Sequence, residues 1–565
     1  LSAFLLSRRL RLIALVWVGL LIGLLVLFGI QLDLISQGWG WQGYRLVASK
    51  DTIYGNISVI TEGPQVSFLE NGVWAFTSPD PQTAEEAIHF ALLEHPQPRE
   101  LLLIGGGIGG LISEALKHPS LRHVDYVELD PNLVSMGRAY LPPQATLSLD
   151  DPRVEIITLD GRRFVRQVRR HYDVVILHLP DPTTAQLNRY YTEEFFAEVA
   201  AILHEGGVFS LSVQSSENVI GHTLAQFLSS LYWTVQEAFP EVVVLPGPEA
   251  RFLGARTKGT LTSDPSVLVR RARQRALSVD YVRDYYLFSN LSAERVRYLQ
   301  SMLEQGKGAG INKDLRPICY FYDIVLWSAQ YTPFLKDWFL YLQGLQVKWI
   351  FYLIAAITLI LLWQGRRSAS TPLLWAVAVT GFSQIALEVI LILTFQIIYG
   401  YLYYTIGLII TAYMIGLALG GWFITAVMGR ITRPLRLLLI IQAGVALYAL
   451  GCLPLILGLH QGALPPFLAN AMEGLFPFLT LVAGFLGGLH FPLASKVYLG
   501  QQKAIGRIGG IVYGVDLAGS AGGALVISVI LLPLVGIAQG ISLIVVLNLS
   551  AILCLGITAL GKGKG

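Results

Sequence analysis

The chain has 565 residues, 53% of them hydrophobic and only 14% charged, with a mean hydropathy of +0.56, against about 25% charged residues in ordinary globular proteins. This composition excludes a wholly aqueous or disordered protein, and no basic patch with interleaved aromatics points to a nucleic-acid partner. The net charge of +3 hides a split: residues 12–347 carry 27 Lys/Arg against 35 Asp/Glu, whereas the 218 residues from Lys348 onward hold 14 charged residues in all.

The first element is an apolar run near Leu12–Ile30 behind Arg8, Arg9 and Arg11, close to the roughly 20 residues that cross a bilayer. A cleaved signal peptide is the alternative reading. Ile30–Ile35 offers no small-residue cleavage site, which favours an uncleaved transmembrane anchor over residues 1–35. Residues 36–80 alternate apolar and polar around the turn Asn71-Gly72, predicting a small antiparallel sheet, and a helix is expected over Pro81–His95.

Residues 81–300 read as strands alternating with helices, the pattern of a mostly parallel sheet with ligands beyond the strands' carboxyl ends. The buried strand Leu101–Gly106 opens into Gly105-x-Gly107-x-x-Gly110 and a helix. Such a turn lets backbone approach a ligand, and the helix N-terminus offers free N–H groups. A second strand brings Glu128 and Asp130 about 20 residues on, where an acid can accept ribose hydroxyls. A third ends at Asp160-Gly161 and a fourth at His178 and Asp181. Each position also has a purely structural reading: helix-on-sheet packing for the glycines, helix capping for Glu128 or Asp130, a turn for Asp160, a satisfied polar residue for His178.

Residues 301–347 are expected to link to the membrane, and residues 348–565 to form a transmembrane domain. Its seven spans fall near Trp349–Trp363, Pro372–Ile398, Leu402–Met428, Leu435–Leu457, Glu473–Phe491, Ile511–Leu532 and Ile537–Leu560. With the first anchor this makes a bundle of about eight helices, in contact with membrane lipid. Alternate connections hold thirteen basic residues, counting Arg8, Arg9 and Arg11, whereas the short loops around Tyr399–Tyr401, His460–Met472 and Pro533–Gly536 hold none. The positive-inside rule then predicts both termini cytoplasmic and the block between the first two spans outside the cytoplasm.

Ionisable residues inside a bilayer are costly. Glu388 shares a helix face with Gln384, and Asp516 lies in the glycine-rich stretch YGVDLAGSAGGA. Gly416/Gly420 and Gly519/Gly523 have the spacing that lets helices approach closely. Interhelical packing is one reading of this set, and a proton or solute path is the other. The cysteines, Cys319, Cys452 and Cys554, are too few and scattered for a disulfide framework, zinc knuckle or haem attachment.

The stretches TIYGNISV, LLLIGGGIGG, VDYVELDP, RVEIITLDGRRFV, YDVVILHLPDP, YYTEEFF and RFLGA resemble the spermidine synthase family, a branch of the S-adenosylmethionine-dependent methyltransferase fold. The segment INKDLRPICYFYDI and the later helices are similar to its membrane-fused bacterial members. The resemblance implies an α/β class I methyltransferase-like (Rossmann-like) soluble domain and location in a bacterial inner membrane. It implies Gly105, Gly107 and Gly110 at the nucleoside-sulfonium turn, Glu128 at the ribose and Asp160 with Gly161 at the adenine. The implied ligand is S-adenosylmethionine or its decarboxylated form, with no metal.

The amine half departs from the family. Ile108 stands at an acid position of the glycine signature, His178 at the first acid of Asp-x-x-Asp-Pro, and Ala75 at a substrate-side Gln; Asp181, Glu85 and His89 are retained, and Tyr54 and Tyr191 fall in matching substrate-side stretches. His178 would act as the base and Asp181 would hold the acceptor. Three functions follow: a nucleoside-binding protein with altered or lost aminopropyl transfer, a non-catalytic docking or assembly subunit of a membrane complex or homo-oligomer, and a transporter with a regulatory domain.

Overall fold

The computed structural model describes residues 13, 15–24, 27–29, 41, 43–343, 346–365, 370–400, 403–461, 472–499 and 505–561. The expected first anchor lies partly outside these residues, as do both termini. Strands β1 (Arg45–Thr52), β2 (Gly55–Glu62), β3 (Gln65–Glu70) and β4 (Val73–Ser78) form an antiparallel meander. Asn71 and Gly72 take φ of 52° and 79° at its last turn, the left-handed pair whose twist matches a tight hairpin.

After α1 (Pro81–Glu94) come β5 (Glu100–Ile104), α2 (Leu111–Leu116), β6 (His123–Glu128), α3 (Pro131–Tyr140), β7 (Val154–Thr158), α4 (Gly161–Gln167), β8 (Tyr172–Leu177), α5 (Glu193–Ala201), β9 (Leu203–Gln214), α6 (His222–Ala238), β10 (Glu241–Leu245) and β11 (Glu249–Ala255). The sheet order is β10-β11-β9-β8-β5-β6-β7. Neighbours from β9 to β7 pair in parallel, and β11 runs antiparallel to both β9 and β10. Strand order reverses at β5, so the crevice between the carboxyl ends of β5 and β8 is the topological switch point where such sheets take ligands.

The central strands are continuous apolar runs because both faces are covered. Leu102 and Ile104 pack on one side with Val175, Phe195 and Phe209; Leu101 and Leu103 pack on the other with Val124, Tyr126 and Ile88. Each fully buried side chain of this kind contributes about 1.5–3 kcal/mol. Within the segment expected as a linker, α7 (Ile318–Tyr331) inserts Cys319, Phe321, Tyr322 and Val325 into the first of these cores.

Among the described residues, seven helices are long and apolar enough to cross a membrane, each overlapping an expected span: α8 (Val347–Gly365), α9 (Ser370–Tyr399), α10 (Tyr403–Val427), α11 (Pro434–His460), α12 (Met472–Leu499), α13 (Ile505–Leu525) and α14 (Ile537–Gly561). Gly416 and Gly420 face the backbone of α12, and Gly519 and Gly523 face that of α9, with no space for a Cβ at any of the four. The small-residue spacings therefore serve close helix crossings.

The α/β domain rests on one end of this bundle. Arg189 Nη1 donates to the Gln396 carbonyl (3.4 Å), Arg316 Nε to the Leu534 carbonyl (3.0 Å), and the Ile537 amide to the Leu315 carbonyl (2.9 Å). His460 lies 3.7 Å from both Glu194 and Asp314. All four contacts fall at or beside the loops that lack basic residues.

Candidate functional site

The switch-point crevice is built on a turn that few side chains tolerate. Gly105, Gly106 and Gly110 have φ of 78°, 72° and 105°, the region glycine occupies at little cost. The Gly105 amide donates to the Val127 carbonyl and the His178 amide to the Ile104 carbonyl, tying the turn to both neighbouring strands. A Cβ on Gly106 would run into the His178 ring, and one on Gly107 into the Tyr126 ring at 2.6 Å. The imidazole at the end of β8 thus lies against the glycine turn. Ile108, in place of an acid, is buried beside Leu111 and packs against Gly137 of α3.

Glu128, at the end of β6, accepts from the Tyr126 hydroxyl and from the Leu129 amide, both at 2.8 Å. Burial pushes its carboxyl up. Glu70 at the end of β3 is pushed up to about 7 by burial and by the charges of Glu128 and Asp130, so three carboxylates crowd this side. Asp130 accepts from the Asn132 amide and caps α3.

Asp160 caps α4 through the Arg163 amide (3.0 Å) and also accepts from Arg189 Nη2 (2.5 Å) and the Tyr190 hydroxyl (3.0 Å). Arg189 is 2% exposed, lies over the Tyr190 ring and leaves its Nε without a partner. A Cβ on Gly400, at the end of α9, would collide with both Arg189 and Asp160. The carboxylate expected at the adenine is therefore closed over by an arginine and by the end of α9. Gly161 packs on Ile104 and Tyr190.

His178 is pushed down by burial; Glu249 and Asp80 raise it, and Arg251 lowers it. Burial pushes Asp181 up to about 7, with repulsion from Asp323 and Glu249 added and an opposing hydrogen bond from the Gln214 amide. The pair is consequently short of negative charge near neutral pH. Tyr191 is buried and donates to the Leu179 and Pro180 carbonyls at 3.1 and 2.8 Å, holding the loop between His178 and Asp181.

The remaining substrate-side candidates are placed otherwise. Glu85 accepts from the amides of Asp280, Tyr281 and Val282 at 2.7–2.9 Å. His89, fully buried, bridges His118 (2.9 Å) and Glu114 (3.1 Å). Both tie α1 to its neighbours. Tyr54 sits in the β1–β2 turn, its amide donating to Thr52 Oγ1. In the bundle of long apolar helices, Gln384 accepts from the Tyr413 hydroxyl at 3.4 Å, and Gln384 and Asp516 line a common cavity. Glu388 follows Gln384 one turn along α9 and is 8% exposed.

Sequence reasoning missed Arg189, Glu249, Asp80 and Asp323. Arg189 stands two residues before Tyr191 and Glu249 opens the strand holding RFLGA, but only folding brings them to Asp160 and His178. Among the described residues, two groups of side chains have the spacing to hold a metal, His123/Asp125/Glu155 and Glu194/Asp314/His460. Asp125 already accepts from the Tyr172 hydroxyl, and Asp314 takes both terminal nitrogens of Arg162 at 2.7 Å.

Residues 82–250 match the Spermine/spermidine synthase domain family. The chain carries a spermidine-synthase-like domain. A polyamine aminopropyltransferase of Pyrobaculum calidifontis is 33% identical over 170 residues, 29% of this chain and 56% of that protein. Its counterpart from Thermotoga maritima is 34% identical over 184 residues, 32% and 60% of the two chains. The chain thus spans somewhat more than half the length of these relatives. A solved spermidine synthase in complex with the transition-state analogue AdoDATO is 25% identical, with 46% of this chain and 89% of that one covered and a TM-score of 0.40. In this spermidine-synthase-like domain Glu128 and the glycine turn stand at neighbouring strand ends, Asp160 is engaged by Arg189, and an imidazole, His178, ends β8.

Proposed function

We propose that the protein is a multi-pass membrane protein whose spermidine-synthase-like domain binds an S-adenosylmethionine-type nucleoside without ordinary spermidine synthesis. The observation that carries this reading is the His178 ring against Gly106 with Asp181 pushed up to about 7. Aminopropyl transfer requires a neutral amine to attack the carbon beside a sulfonium, displacing the thioether while a base takes the amine proton. A diamine arrives as a dication. A neutral imidazole and a half-protonated carboxyl attract it weakly, although His178 retains the chemistry to accept a proton.

The loops under the domain hold none of the basic residues that the opposite connections carry, which supports an extracytoplasmic domain with both termini cytoplasmic. The Arg189 bridge from Asp160 to Gln396 favours a second reading, a docking module whose adenine side is held shut by the bundle, joined to further subunits or to a second copy.

The test is an aminopropyl-transfer assay on the full chain in lipid nanodiscs, with decarboxylated S-adenosylmethionine and putrescine. No spermidine above background is expected from the wild type. Multiple turnovers at neutral pH would overturn the reading. Protease added outside intact cells should cut the domain, and its protection would reverse the orientation.

A further inference from the structure

Between α9, α10, α12 and α13 lies a cavity of about 220 Å³ lined by Thr380, Gln384, Leu417, Gly488, His490 and Asp516, among others. A single water needs only about 10–15 Å³, so the space exceeds that of one water or bare ion. His490 is 1% exposed and its Nε2 has no hydrogen-bond partner among the described residues. Asp516 has no ion-pair partner among the described residues, and no Lys or Arg lines the cavity. Pro492 lacks an N–H, which leaves the Gly488 carbonyl without its helical donor. Gln384 Oε1 is an acceptor, and the Thr380 hydroxyl already donates to Ala376 and Gln442.

The wall therefore offers a carboxylate, an amide oxygen, a carbonyl that lacks its helical donor and, with its proton on Nδ1, the His490 Nε2 as acceptors. Leu417, Phe491 and the glycine backbone give it an apolar side. A charge without a partner at this depth is costly, and a primary ammonium supplies three donors, one positive charge and an aliphatic tail. We propose that this cavity binds a small aliphatic ammonium ion, coordinated by Asp516, Gln384 and His490. The site is separate from the nucleoside crevice and does not rest on it.

The test uses the full chain in nanodiscs, titrated with n-butylammonium, with sodium ion and with neutral n-butanol at matched ionic strength, following heat of binding and melting temperature. Saturable binding of n-butylammonium alone is expected, weakened about tenfold or more by Asp516→Asn and several-fold by His490→Gln. An equal response to sodium or to butanol would overturn the proposal, as would unchanged affinity in Asp516→Asn. Loss of binding in Asp181→Asn with full binding in Asp516→Asn would place the amine in the extramembrane domain and also overturn it. Should Asp516→Asn fail to fold, Leu417→Phe decides: it fills the cavity with the carboxylate intact and must abolish binding, and retained affinity contradicts the site.

Discussion

Asp181 and Glu85 illustrate how one residue type acquires opposite roles. Glu85 has three amide donors and works as a structural tie. Asp181, whose carboxylate accepts among the described residues from the Gln214 amide alone, at 3.2–3.3 Å, is pushed up to about 7 from 3.8. Because the folded chain binds this proton more tightly than the unfolded chain, the stabilisation is fully present below about pH 4 and is lost as pH rises through about 7. Asp181→Asn should therefore melt progressively higher relative to wild type between pH 5 and pH 8, by several degrees at the upper end, about 2–4 °C for each kcal/mol. An equal difference at pH 5 and pH 8 would contradict the assignment. The sequence pattern identified Glu85, His89 and Asp181 as acids or bases at matching positions. It carried no information on which of them folding would surround with amides or another imidazole, because those partners lie tens of residues or more away.

At the scale of elements, the glycine turn and the end of β8 form one unit. Gly106→Ala meets both a φ of 72° and the His178 ring. The backbone strain costs about 1 kcal/mol wherever the ring goes, but the clash disappears if the ring is removed. His178→Ala should therefore rescue part of the Gly106→Ala loss, with a coupling energy on the order of 1 kcal/mol or more in a double-mutant cycle; additive melting shifts would contradict the packing. The strand ends, the glycine turn and all seven C-terminal spans were legible, since each is written as a local run or spacing. Residues 301–347 read as a linker because α7 is short and its contribution to the core is apparent only once it packs against α6.

At the scale of the whole molecule, the α/β domain and the bundle meet through Asp160, Arg189 and the end of α9. Arg189 is incompletely satisfied there, so the bridge is open to competition. Arg189→Ala should free Asp160 and raise affinity for an adenine nucleoside several-fold, while amide hydrogen exchange near residues 396–400 increases; weaker binding in this variant would show that Arg189 assists the ligand. This junction could not be anticipated from either half, because its partners are about 200 residues apart and one is a backbone carbonyl. The most direct measurement is the dissociation constant of methylthioadenosine for the full chain in nanodiscs, beside Glu128→Gln. Saturable binding that Glu128→Gln weakens about tenfold or more is the predicted result. No binding at millimolar ligand, or equal affinity in the two proteins, would contradict a nucleoside site at the end of β6.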